Sequence, residues 1–218
     1  MTKRLDTNDP KVFDKWRELY WELTDEEQFE FMEDCCQVFG DQKHFTYGFF
    51  SRVFDVLRDV RVMEVGGWKG ELAQQCLADH YEKIISWDNY EVCKGAIEQT
   101  VDMKSVKYHP LLQTQFDWFG KARPERDKYD ICISSNMIEH LANQHFEKLL
   151  DYIQGIPLVL FEAPLLTTDQ RWEGYYGTHI LGYTWTEVHE AMEDRGYKKY
   201  KKLGENCYLY ELDYWVSK

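Results

Sequence analysis

Apolar positions recur every three and four residues through the first quarter of the chain, then give way to short continuous runs. Phe13, Trp16 and Tyr20 space a helix over about 11–20, and Phe29, Met32, Cys36 and Phe39 space a second over about 25–38. Phe50, Val53, Phe54 and Leu57 space a third over about 46–58. Asn8-Asp9-Pro10 is a start signal for the first helix, and Thr24 with Glu27 makes a capping-box pattern for the second. From residue 60 the pattern alternates between strand and helix. Val60–Val65 predicts a strand; Gly66, Gly67 and Gly70 follow, and a helix then runs to about His80 with Leu72, Ala73, Cys76 and Leu77 inward. A second strand is expected over Lys83–Trp87, ending at Asp88, and a helix over about 91–99. Further strands are expected at Val106–Tyr108, Tyr129–Ser134 and Leu158–Phe161, the last closed by Glu162, Ala163 and Pro164, with a helix over about 143–153. A helix over Trp185–Arg195, opened by Thr184 and stopped by Gly196, precedes two strands at about 197–203 and 207–214, joined by Gly204-Glu205-Asn206.

Repeated strand-helix units imply an α/β domain with a mostly parallel sheet covered on both faces, and the last two strands add an antiparallel hairpin. No repeat or linker divides residues 1–218, so a single domain is expected: a helical N-terminal part over 1–58 and a sheet core over 60–214. The rings of the N-terminal helices need a surface to pack on. They are expected to lie across the ligand site as a cover, with Tyr47 and Phe49 near the ligand; a homodimer contact is the rival use.

The formal net charge of −13 disfavours a nucleic acid, whose phosphates are held mainly by Lys and Arg. Lys198, Lys199, Lys201 and Lys202 surround Tyr200 in what reads as an edge strand, where charge blocks aggregation. None of the six Cys forms a CxxC pair, so neither a zinc site nor a disulfide framework is indicated. Met1-Thr2-Lys3-Arg4 precedes no apolar run, and no stretch is long enough to cross a membrane, so a cytoplasmic protein is expected. His44, His80, His145 and His189 read as surface residues, and Cys132 as core.

The chemistry starts at Glu64-Val65-Gly66-Gly67-Trp68-Lys69-Gly70. Glycines after a first strand let the chain turn and approach a ligand at the carboxyl edge of the sheet, and the following helix aims its positive end there. Asp88, placed at the end of the second strand, is an acid suited to ribose hydroxyls, with Asn89 and Tyr90 set to bracket a base. A dinucleotide fingerprint would need glycine where Trp68 and Glu71 stand, and no P-loop is present. Glu64 near the loop would repel a diphosphate but favour a cationic amino group, so the expected ligand is an adenosine with an amino-acid tail.

This segment resembles motif I of the class I S-adenosylmethionine-dependent methyltransferases, E/D-x-G-x-x-x-G, with Glu64, Gly66 and Gly70 in the matching places. Tyr129–Leu141, containing Ser135, Asn136, Glu139 and His140, is similar to the fourth-strand motif of the small-molecule branch that includes ubiquinone-type and sugar O-methyltransferases. The resemblance covers about 60–214. It implies a three-layer Rossmann-like sheet. It also implies S-adenosyl-L-methionine as cofactor, held by Glu64, Gly66, Gly67, Trp68, Gly70, Asp88, Asn89, Leu111, Ser135 and Asn136. Trp68 departs from the usual small residue, and His109-Pro110-Leu111 stands where the family often has an acid and a small residue beside the adenine.

Methyl transfer needs alignment and at most a base. His179 and His140, the latter with Glu139 as orienter, are the candidate catalytic residues; the other reading is that they only structure their loops. Arg171, Trp172, Tyr175, Tyr176 and Tyr47 are expected to line the acceptor pocket, and no metal is expected. The expected acceptor is an oxygen or nitrogen of a sugar or other small metabolite, and the protein a monomer or homodimer. The alternatives are a nucleic-acid or protein methyltransferase, an NAD-linked oxidoreductase, and a non-catalytic cofactor-binding protein on the same fold.

Overall fold

In the computed structural model, which describes residues 43–91, 106–110, 128–141, 143–165, 181 and 183–213, the short apolar runs become strands of one sheet. The helices are α1 (Lys43–Val56), α2 (Glu71–His80), α3 (Asn143–Ile153) and α4 (Trp185–Glu193). The strands are β1 (Val60–Val65), β2 (Ile84–Glu91), β3 (Val106–Pro110), β4 (Ile131–Ser135), β5 (Leu158–Glu162), β6 (Lys199–Gly204) and β7 (Cys207–Glu211). A short 3₁₀ turn spans Ile138–His140. The sheet order is β3-β2-β1-β4-β5-β7-β6. β1 to β5 pair in parallel, and β7 runs antiparallel between β5 and β6. This is the expected α/β architecture, with helix layers on both faces of a mostly parallel sheet and a closing antiparallel hairpin.

Alternation along the strands sends successive side chains to opposite faces. Val62, Trp87, Ile131, Ile133, Leu158 and Leu160 meet Phe50 and Phe54 of α1 and Ala73 and Cys76 of α2. On the other face Met63, Val65, Cys132, Val159 and Phe161 meet the apolar stripes of α3 and α4. Phe50 and Phe54 are fully buried, and each such ring stabilises the fold by about 1.5–3 kcal/mol. The apolar face of α1 thus forms a core layer on the sheet. The ring of Phe49 packs on Gly204 at the β6–β7 turn, so the second turn of α1 lies toward the carboxyl edge. The two earlier expected helices lie outside the described residues, as does the helix expected over 91–99 apart from Glu91, which ends β2.

Other differences have local causes. β2 continues three residues beyond Asp88, because its backbone stays in register with β1 through Val65 and Tyr90. β3 likewise runs on to Pro110, opposite Glu91. β4 begins at Ile131; just before it the Asp130 carboxylate accepts from the Arg61 guanidinium at 2.9 Å through each oxygen. His80 is buried rather than superficial: its Nε2 is hydrogen-bonded to the Ser51 hydroxyl at 2.9 Å, tying α2 to α1. His189 stacks on Tyr200 at 4.0 Å and bonds the Tyr210 hydroxyl at 2.8 Å, tying α4 to the hairpin. β6 is the edge strand, with Lys199, Lys201 and Lys202 exposed.

Candidate active site

The chain leaves β1 at the point where the sheet changes direction, between β1 and β4. Ligands of open α/β sheets bind in the crevice outside the strand ends at such a point. Gly66 turns there with φ 74°, and its N–H donates to the Tyr90 carbonyl at 2.8 Å. Trp68 and Gly70 also adopt left-handed conformations, with φ of 50° and 86°. Gly70 N–H donates to the Gly67 carbonyl at 2.8 Å, closing the turn, and Gly70 then caps α2 without any side-chain hydrogen bond. The Trp68 indole lies beneath the Lys69 ammonium, 5.9 Å from the ring centre.

Buried polar groups support this turn from within the sheet. Glu64 is 2% exposed, and the Trp87 indole N–H donates to its Oε2 at 2.8 Å. Asn89, fully buried, accepts from Gly67 N–H at 3.1 Å. A β-carbon on Gly67 would come within 3.0 Å of both Asn89 and Glu64. Asn89 therefore braces the loop from below, and Tyr90 points into the opposite face of the core.

Asp88 shares the face of Tyr90. Tyr129 donates to Asp88 Oδ2 at 2.6 Å and bonds the Tyr90 hydroxyl at 2.8 Å, which makes Tyr90 the donor to Tyr129. Burial and the Asp88 carboxylate push the Tyr129 phenol well above its ordinary range, so it remains the proton donor. The residue at the tip of β2 is Glu91, one position beyond the Val65–Tyr90 pair and opposite Pro110. Sequence reasoning missed it because the strand was ended too early. The signal was the length of β1, which obliges a parallel neighbour to extend to the glycine turn.

The ends of β4 and β5 complete the edge. Ser135 donates to Glu162 Oε2 at 2.9 Å, and Asn136 N–H donates to the Glu162 carbonyl at 2.8 Å. Asn136 is exposed, with φ 49°. Met137 packs against Gly66, bringing the segment after β4 beside the glycine turn. Glu139 is 1% exposed; burial, and then repulsion from Glu162, hold its carboxyl well above the usual range. Its carbonyl accepts from Leu181 N–H at 3.0 Å, fixing the chain that leads into α4. Tyr47 and His140 are placed by backbone alone, in α1 and the 3₁₀ turn. Leu111, Arg171, Trp172, Tyr175, Tyr176 and His179 lie outside the described residues. Among the described residues no group of three metal-ligating side chains gathers, and no helix is long and apolar enough to cross a membrane.

No family profile and no curated protein matches the sequence. Solved structures do match the fold. The plantazolicin methyltransferase BpumL, in complex with a pentazolic desmethylPZN analog and SAH, aligns with a TM-score of 0.65 at 10% identity, over 93% of this chain and 98% of that one. Human N-acetylserotonin methyltransferase, in complex with SAM, aligns at 0.60 and 16% identity, over 87% of this chain and 56% of that one. An O-methyltransferase family protein from Burkholderia thailandensis aligns at 0.59 and 11% identity, over 94% and 60%. The chain has the class I methyltransferase fold. It spans little more than half the length of the human and Burkholderia proteins. The N-terminus of α2, without a side-chain cap, suits the carboxylate of an amino-acid tail, and the Asn89 amide nitrogen beneath the turn is buried without a hydrogen-bond partner among the described residues.

Proposed function

We propose that the chain binds S-adenosyl-L-methionine at the glycine turn and transfers its methyl group to a small-molecule oxygen or nitrogen. The observation that carries this is the turn at Gly66–Gly70, set at the switch point between β1 and β4 and opening on the uncapped start of α2. The first-turn N–H groups of α2 would take the cofactor's carboxylate. Glu64, held by Trp87, supplies negative charge near its ammonium group. When bound, the cofactor supplies an electrophilic methyl group; the protein aligns the acceptor and excludes water.

For the ribose, the support favours Glu91 over Asp88. Glu91 ends its strand level with the turn, whereas Asp88 lies three residues back and already accepts from Tyr129. Ser135, Asn136 and Trp68 border the same edge. His179 and His140, the latter with Glu139 as orienter, are kept as candidates for contact with the acceptor. Arg171, Trp172, Tyr175, Tyr176 and Tyr47 keep the acceptor pocket, and Leu111 the adenine.

Isothermal titration with S-adenosylhomocysteine tests the reading. Saturable binding by one molecule per chain is expected. A folded protein that shows no heat and no thermal stabilisation with this ligand overturns it.

A further inference from the structure

Three polar residues reach the carboxyl edge from one face of three neighbouring strands. Glu64 stands two residues past Val62, Ser135 two past Ile133 and Glu162 two past Leu160, all on the face that carries α1 and α2. Glu64 is engaged by Trp87. Ser135 and Glu162 are register partners, the last residues of β4 and β5. The Ser135 hydroxyl fixes one carboxylate oxygen at 2.9 Å, and the Asn136 N–H fixes the Glu162 backbone at 2.8 Å. The segment that follows Ser135 packs on the glycine turn through Met137. Glu162 thus stands at the same carboxyl edge as the turn, on the other side of β4.

Two titratable groups face Glu162 from neighbouring elements: Glu139 from the 3₁₀ turn and Cys207 from β7. The Glu162 carboxylate raises both of them, and neither offers it a positive charge. Among the described residues no cation lowers the Glu162 carboxyl, and burial pushes it up to about 7. A carboxyl that titrates near neutrality is suited to accepting a proton and releasing it again.

We propose that Glu162, aligned by Ser135, is the proton acceptor of the methyl-transfer site, and that the acceptor atom is a proton-bearing hydroxyl oxygen or amine nitrogen. This rests on the methyltransferase reading above. The acceptor's lone pair forms the bond to the methyl carbon while the carbon–sulfur bond breaks, its electrons remaining on sulfur as a neutral thioether. The acceptor's proton passes to the Glu162 carboxylate and goes to solvent after the product leaves.

Two cofactor analogues test this without knowledge of the acceptor. S-adenosylhomocysteine is uncharged at sulfur, whereas sinefungin carries an ammonium group where the methylsulfonium stands. Between about pH 6 and about pH 8, wild-type affinity for sinefungin should rise relative to S-adenosylhomocysteine by about tenfold, as a carboxylate ionises beside a cation. Glu162→Gln should bind S-adenosylhomocysteine as the wild type does and lose that rise. Glu162→Asp, which keeps the charge and shortens its reach, should retain a reduced rise even if the glutamine variant folds poorly. Equal pH dependence of the two ligands in the wild type overturns the assignment, as does a rise that survives in Glu162→Gln. Failure of the wild type to bind S-adenosylhomocysteine at any pH sinks the methyltransferase reading itself and this assignment with it.

Discussion

Met137 fills the space in which Gly66 would carry a β-carbon: such an atom would lie within 3.0 Å of Met137 Cβ and Cγ. Gly66 also has φ 74°, so a larger residue meets both steric overlap and backbone strain. Gly66→Ala is expected to lose about 2–4 kcal/mol of stability, from overpacking and the left-handed conformation together. Adding Met137→Gly, which removes both overlapping atoms, should recover the packing part and leave about 1–2 kcal/mol of strain. Urea denaturation of the two variants separates these contributions. Equal losses in both would show that Met137 does not set the shape of the turn.

The two acids of β2 should separate in their effects. Glu91 stands at the strand tip, level with the glycine turn, while Asp88 accepts from Tyr129 inside a chain of tyrosine hydroxyls. Glu91→Gln is expected to weaken S-adenosylhomocysteine binding about tenfold or more, the loss of a hydrogen bond to a charged acceptor, with little change in melting temperature. Asp88→Asn is expected to lower stability by roughly 1–2 kcal/mol, by loosening Tyr129, and to leave the dissociation constant within about threefold of wild type. Calorimetry and thermal melts on both variants give the answer. The reverse pattern would return the ribose to Asp88.

Elements with a self-contained pattern were legible in the sequence. α3 falls on the expected residues because its apolar stripe repeats at helical spacing, and β1 because Val60 to Val65 is bounded by glycine. β2 runs past its expected end at Asp88 because Asn89, Tyr90 and Glu91 carry no strand period of their own; only their pairing with β1 and β3 holds them extended. His80 and His189 were misplaced for a similar reason. Their partners, Ser51 and Tyr210, lie 29 and 21 residues away, beyond any local period. The glycine turn was visible as a motif. Glu162 showed only as the end of a strand, since its meaning comes from Ser135 across the ladder.

Arg61 and Asp130 clamp the amino edge of the sheet where β1 and β4 begin. Both guanidinium contacts are 2.9 Å, and Arg61 N–H adds a third bond to Oδ2 at 2.8 Å. Burial raises the Asp130 carboxyl, but these bonds outweigh it and hold the group below its ordinary 3.8. A lowered carboxyl contributes stability above its unfolded value and loses it as pH falls through the folded one. Side-chain exposures of 37% and 30% screen the pair, so Asp130→Asn should cost roughly 1 kcal/mol near neutrality. In acid the two proteins should converge. Denaturation midpoints measured from neutral pH down to below 3.8 test this; a constant gap across the range would mean that the ion pair adds nothing.

Glu162 should act on stability in the opposite sense. Its carboxyl rises from 4.5 to about 7, chiefly through burial, while Ser135 and the Asn136 N–H pull only weakly the other way. A raised acid favours the fold while it stays neutral. Its contribution is complete below 4.5 and is lost as pH climbs through about 7, because ionisation then leaves a poorly solvated charge near Glu139. Glu162→Gln keeps the shape and cannot ionise, so its melting temperature should draw ahead of the wild type as pH rises across that window and hold a constant lead above it. Melts of both proteins in matched buffers measure this directly. A gap that is flat with pH, or that closes as pH rises, would mean that Glu162 is already ionised in the folded protein at low pH, and would remove the electrostatic basis for a proton-accepting role at the end of β5.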